Sequence, residues 1–124
     1  MTQHSLQIYV KSSCSSCVSA RKCLRSKKVE VVERDFFKER FTKGELEKLI
    51  GDRPIAEFIS TRAKSYAATG WSKKPPTKKQ AIAAMLKEPT LLRRPILVIG
   101  KRYIIGWSQK EYATLAWAQF LYGP

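Results

Sequence analysis

Metal ligands are scarce in this chain of 124 residues. It has one histidine, His4, and three cysteines, Cys14, Cys17 and Cys23. So few cysteines, in an odd number, exclude the disulfide framework of a small secreted domain. No apolar run approaches the roughly 20 residues that span a bilayer as a helix. No signal peptide is visible either, so a soluble, cytoplasmic protein with reduced thiols is expected. Internal repeats are absent, and no linker is long enough to separate domains. Acidic residues are also few: 10 Asp and Glu stand against 24 Lys and Arg, giving a formal charge of +14. Such a surface attracts anions, whether nucleic acid, acidic proteins or small oxyanions. The imbalance is stronger in residues 63–124, with 11 basic and 2 acidic side chains, than in residues 1–62, with 13 and 8. No RNA-binding aromatic motif, zinc finger or helix-turn-helix accompanies the charge, so direct nucleic-acid binding is not expected. A solvated basic face accounts for it equally well.

What remains is ordinary globular composition, 44% apolar and 27% charged. The length suits one domain over residues 1–124 that buries a normal core. Leu6 to Val10 is a strand-type run. Ser12 and Ser13 can cap the helix that follows. From Cys14 to about Arg25 the pattern is helical, with Cys17, Ala20 and Leu24 on one stripe. Val29 to Val32 reads as a second strand, ending at the polar Glu33-Arg34-Asp35. Strand, helix and strand within about 30 residues form a βαβ unit with parallel pairing.

A helical insertion over about 42–89 comes next. Thr42 with Glu45, and Thr77 with Gln80, are capping boxes. Between them, Ile55 to Ala68 reads as helix in one or two pieces, stopped by Gly70, and Ser72 to Pro76 as a loop. Then the period changes. Pro95 to Ile99 is a buried-type strand, Gly100-Lys101 a tight turn, and Arg102 to Ile105 the hairpin partner. Ser108 and Glu111 open a last helix that turns Tyr112, Leu115, Ala116 and Phe120 toward the core. The order is βαβ, helical insertion, β-hairpin, helix. That is an α/β chain of thioredoxin-like type with a mixed four-stranded sheet.

The chemistry concentrates at Cys14-Ser15-Ser16-Cys17, between the first strand and its helix. Free backbone N–H groups at a helix N-terminus favour an anion, which biases Cys14 toward thiolate. Arg21, two turns on, adds to the positive field. Cysteines three apart on a first turn can close a disulfide, so nucleophile and resolving thiol share one motif. Two alternatives stay open. One is an inert structural pair. The other is half of a zinc site, for which only Cys23 and His4 could complete the usual four ligands. Cys23 itself reads as a small buried or half-buried residue. A second feature is Arg93-Arg94-Pro95 directly before a core strand, where a proline must begin the strand or lie at an edge.

These stretches resemble the ArsC/Spx family. The likeness rests on Ile8-Tyr9 before the C-S-S-C motif, Arg21-Lys22, Ile59-Ser60-Thr61-Arg62-Ala63-Lys64, and Leu92-Arg93-Arg94-Pro95-Ile96. It spans roughly Leu6 to Tyr122. The family joins arsenate reductases that use glutaredoxin to Spx-type redox regulators of RNA polymerase. The resemblance implies a thioredoxin fold, a cis Arg94–Pro95 peptide facing the cysteines, and Cys14 as nucleophile. Cys17 is then the resolving thiol. Arg94, with Arg62 as a helper, is the group that grips an anionic or thiol substrate. It also implies no metal and no organic cofactor, only an external reductant such as glutathione with glutaredoxin, or thioredoxin. Two further reductase arginines do not carry over: Tyr66 and Gly106 stand in their places. The dithiol, the I-S-T-R-A-K string and L-L-R-R-P-I are closer to the regulators, which makes RNA polymerase a second expected partner. Nothing in the sequence demands more than a monomer.

Overall fold

The computed structural model describes residues 6–28 and 30–115. They group into two compact units, one of residues 6–28, 30–35 and 94–115, the other of residues 36–93.

The first unit holds the sheet. Strand β1 is Leu6–Val10, helix α1 is Ser15–Ser26 and strand β2 is Val31–Asp35. β1 and β2 run parallel, with Leu6 opposite Val31 and Val10 opposite Asp35. Strands β3, Ile96–Ile99, and β4, Arg102–Ile105, form the hairpin, and β3 pairs antiparallel to β1, with Ile8 opposite Leu97. The order β2-β1-β3-β4 is the mixed four-stranded sheet expected for a thioredoxin-like chain. Gly100 takes a φ of 58° in the hairpin turn, a left-handed conformation that glycine adopts without strain.

The core of this unit follows from the two periods. β1 alternates buried and more exposed positions, turning Leu6, Ile8 and Val10 inward. α1 turns Cys17, Ala20 and Leu24 against them, at the spacing of one helix face. Leu97, Ile99, Ile104, Tyr112 and Leu115 complete the cluster, with Cys14, Cys23 and Trp107 packed on its margin. Tyr112 lies on the short helix α5, Gln109–Ala113, whose first turn is capped by the Ser108 hydroxyl accepting from Glu111 N–H. Ala116 and Phe120, also expected in this core, lie outside the described residues.

Tyr112 carries a cost. Its ring is fully buried and lies 4.8 Å from that of Trp107, yet its hydroxyl has no hydrogen-bond partner among the described residues. An unpaired buried hydroxyl costs about 1–3 kcal/mol. Tyr112→Phe keeps the ring and removes that cost. The variant is expected to be more stable by about 1 kcal/mol, read as a higher urea midpoint with an unchanged slope. A lower midpoint would mean that the hydroxyl is paired.

The second unit is helical. Helix α2, Lys43–Ile50, and helix α4, Lys78–Lys87, both begin with the expected capping boxes, at Thr42/Glu45 and Thr77/Gln80. Between them the chain is less regular than the sequence suggests. Ile55–Phe58 is a 3-10 turn and helix α3 is only Lys64–Ala67. Of the one or two pieces expected over Ile55 to Ala68, two short ones form, and the break between them holds Ile59, which forms an antiparallel bridge to Leu92. Ser60 N–H and Arg93 N–H extend that pairing, to Leu91 O at 2.7 Å and Phe58 O at 2.8 Å. Backbone pairing to residues 91–93 overrides a weak helical pattern.

Two further boundaries differ. β2 does not end at the polar stretch but continues through Glu33-Arg34-Asp35. It is an edge strand, where polar residues are tolerated and help to prevent further pairing. Ser12 and Ser13 do not cap α1 either: Cys14 is the N-cap residue and makes no side-chain cap.

Candidate thiol site

The site grows from the end of β1. After Val10 the chain turns, with Cys14 N–H donating to Lys11 O at 2.9 Å, and α1 starts at once. Cys14 is therefore half-buried at the helix N-terminus, while Cys17, one turn on, faces the core and is fully buried. All three cysteines are free thiols.

The two thiols of the motif have opposite acidities. Burial works against ionisation of Cys14, but several groups outweigh it: the backbone N–H groups of Cys17 and Ser16, the Cys17 thiol, and the Arg94 guanidinium. The net effect lowers Cys14 below its ordinary value. Burial pushes Cys17 up to about 12, aided by the neighbouring Cys14, against the opposing pull of Lys11 N–H and Arg94. Lys11 N–H donates to Cys17 Sγ at 3.4 Å. One thiol is thus prepared to attack, and its partner is held protonated until a bond forms beside it.

Arg94 is half-buried immediately before β3, in the same unit as the thiols, and its charge acts on both. The Arg94–Pro95 peptide is cis, and Pro95 is buried. Pro95 O accepts from Gly106 N–H at 2.7 Å, tying the start of β3 to the end of β4. Gly106 is buried with a φ of 85°, a conformation that would strain an arginine or any other side chain. Arg62 belongs to the other unit, exposed in the turn before α3. Tyr66, on α3, is half-buried with its ring edge-on to Trp71 at 6.4 Å.

Arg21 corrects one expectation. Its Nε pairs with Glu33 of β2 at 2.8 Å, so its charge is spent locally, and Arg94 is the cation that acts on the thiols. Cys23 is half-buried on the core margin, as its place in the helix suggests. His4 lies outside the described residues. Among those residues, no three His, Cys, Asp or Glu side chains come together as a metal site. No described helix is long and apolar enough to cross a membrane.

Sequence reasoning missed the groups that hold the turn before Cys14. Ser12 donates twice to Asp35 Oδ2, from its backbone N–H at 3.0 Å and its hydroxyl at 2.6 Å. Only the parallel register of β1 and β2, which sets Val10 opposite Asp35, brings these residues together.

Known proteins place this architecture. The "Regulatory protein MgsR" of Bacillus subtilis is 29% identical over 116 residues, covering 92% of each chain. The "Global transcriptional regulator Spx" of Listeria monocytogenes is 30% identical over 106 residues, covering 84% of this chain and 81% of the relative. A solved ArsC-family-related protein from Bacteroides fragilis superposes with a TM-score of 0.76 at 23% identity, over 93% of this chain and all of the other. The sequence pattern of the ArsC family matches residues 9–115. With Cys14, Cys17, Arg94 and the cis Pro95 all inside that span, the chain belongs to the ArsC family.

Proposed function

We propose that this protein works through a reversible disulfide between Cys14 and Cys17, as a thiol–disulfide redox protein acting on a small oxyanion or a disulfide. The observation that carries the reading is the opposed acidity of two thiols one helical turn apart. Cys14 thiolate attacks a sulfur of a disulfide substrate and releases the first thiolate, or attacks the central atom of an oxyanion such as arsenate, from which a protonated oxygen leaves as water. Cys17 then attacks Cys14 Sγ, loses its proton to solvent and releases the second leaving group. Two electrons pass to the substrate, and the chain is left with a Cys14–Cys17 disulfide. An external dithiol, from a glutathione/glutaredoxin or thioredoxin system, returns them. Arg94 steadies negative charge at the attacked centre. In this reading, the chemistry needs no metal or organic cofactor, and the protein is a cytoplasmic monomer.

A second reading is favoured by the curated relatives, which are named as regulators. Here the same disulfide is a signal. Its formation changes how the basic chain binds an acidic partner, for which the family resemblance suggests RNA polymerase.

One experiment separates the two. Purified protein is coupled to NADPH through glutathione/glutaredoxin, and separately through thioredoxin, with arsenate or a model disulfide as substrate. Turnover abolished by Cys14→Ser and strongly reduced by Cys17→Ser supports the enzyme. The absence of turnover, with a Cys14–Cys17 disulfide still forming under diamide and changing affinity for RNA polymerase, supports the regulator. Turnover that survives Cys14→Ser overturns the enzyme mechanism.

A further inference from the structure

The turn that carries the thiols is fastened from outside the motif. Asp35 ends β2, opposite the last residue of β1. One of its oxygens, Oδ2, accepts both donors of Ser12. Ser12 follows Lys11, and Lys11 makes two contacts with the motif. Its carbonyl accepts from Cys14 N–H at 2.9 Å, and its N–H donates to Cys17 Sγ at 3.4 Å. A carboxylate that takes two donors from one residue fixes both the position and the tilt of the adjoining peptide. The peptide fixed here is the one whose neighbour aims an N–H at the buried sulfur.

We infer that Asp35 is a positioning residue for the resolving thiol: by clamping Ser12 it holds Lys11 N–H on Cys17 Sγ and so speeds closure of the Cys14–Cys17 disulfide. The inference rests on the dithiol reading above and adds a residue outside the motif to it. In the closing step, Cys17 Sγ must carry negative charge while it attacks Cys14 Sγ. Lys11 N–H is a backbone donor directed at that sulfur, in surroundings where burial otherwise opposes the charge. A donor held in place beforehand stabilises developing charge without reorganisation. Asp35 touches neither sulfur in this account. Its role is to accept from Ser12, which an amide oxygen at the same position can also do.

The test uses the reduced full chain and an aromatic disulfide, 5,5′-dithiobis(2-nitrobenzoate). Cys14 thiolate attacks it, forms a mixed disulfide and releases one thionitrobenzoate. Cys17 thiolate then attacks Cys14 Sγ, closes the intramolecular disulfide and releases a second. Stopped-flow absorbance follows both phases, and peptide mapping assigns the second to Cys17. The wild type is expected to show two phases. Asp35→Ala is expected to keep the first phase within about twofold and to slow the second by about five- to tenfold, the effect of one lost hydrogen bond. Asp35→Asn retains an acceptor oxygen and is expected to restore the second phase to within about twofold of the wild type. Ser12→Ala keeps the backbone donor and is expected to fall between. The unchanged first phase guards against a misfolded variant. A second phase as fast in Asp35→Ala as in the wild type overturns the inference, as does one equally slow in Asp35→Asn. A wild type with no second phase overturns the dithiol reading itself.

Discussion

Replacing Cys14 by serine is expected to remove nearly all fast thiol chemistry from the motif. At pH 7, the Cys17 peptide of the wild type should take up iodoacetamide at least about thirtyfold more slowly than its Cys14 peptide. The magnitude follows from ionisation. Cys14 lies below its ordinary value of 9.0, whereas Cys17 is pushed up to about 12. At neutral pH that separates their thiolate fractions by a thousandfold or more. A more basic thiolate is intrinsically more nucleophilic, and with a Brønsted slope of about 0.5 this returns roughly thirtyfold over three units. The burial of Cys17 adds to the remainder. The sign is fixed by direction. The lowered thiol levels off in a pH series below 9.0, while the raised one still gains rate above pH 11. Site-resolved mass spectrometry reads both. Comparable labelling of the two cysteines at pH 7 would remove the physical basis for calling one the nucleophile.

The second large effect is on stability. Leu97 is fully buried on β3, opposite Ile8 of β1 and within the cluster that packs Cys17. Leu97→Ala leaves a cavity in the core cluster over the two central strands, whose backbones are fixed by pairing and relax little. A loss of about 3 kcal/mol is expected, within the 2–5 kcal/mol of such substitutions. For a chain of this size it lowers the melting midpoint by roughly 10 °C. A drop below about 3 °C would mean that the strands close over the gap. The same variant should label faster at Cys17, because the cluster that shields it is looser.

How much of this was legible in the sequence depends on how far apart the deciding residues lie. Thr42 with Glu45 and Thr77 with Gln80 settle their helices within four residues, and both boxes are present. The strands β1, β3 and β4 announce themselves by apolar runs and a glycine turn. The motif's position at a helix start was likewise local. Longer-range decisions were not legible. Ile59 is apolar in either conformation, and only its bridge to Leu92 makes it extended. Ser12 reads as a cap until a carboxylate 23 residues away claims it. Arg21 reads as part of a positive field until Glu33 of the edge strand pairs with it. Arg94 is placed by the fold type and the resemblance together, through its proline, because no local pattern says which thiol an arginine 80 residues distant will face. Gly106 departs from the arginine that the resemblance to the reductases sets at its place. Its positive φ supplies the reason a side chain is excluded.

The sheet joins residue 6 to residue 99, and that separation has a chronology. A ribosome adding roughly 5–20 residues per second makes Cys17 about 4–16 s before it makes Leu97. Through that interval the nascent chain has the residues of β1 and α1 but not the strand that completes their core, so Cys17 lacks the burial that sets it apart from the half-buried Cys14. The acidity gap between the two cysteines is therefore a property of the finished chain. While the protein is being made, the cell's reducing thiols must do what the core does afterwards.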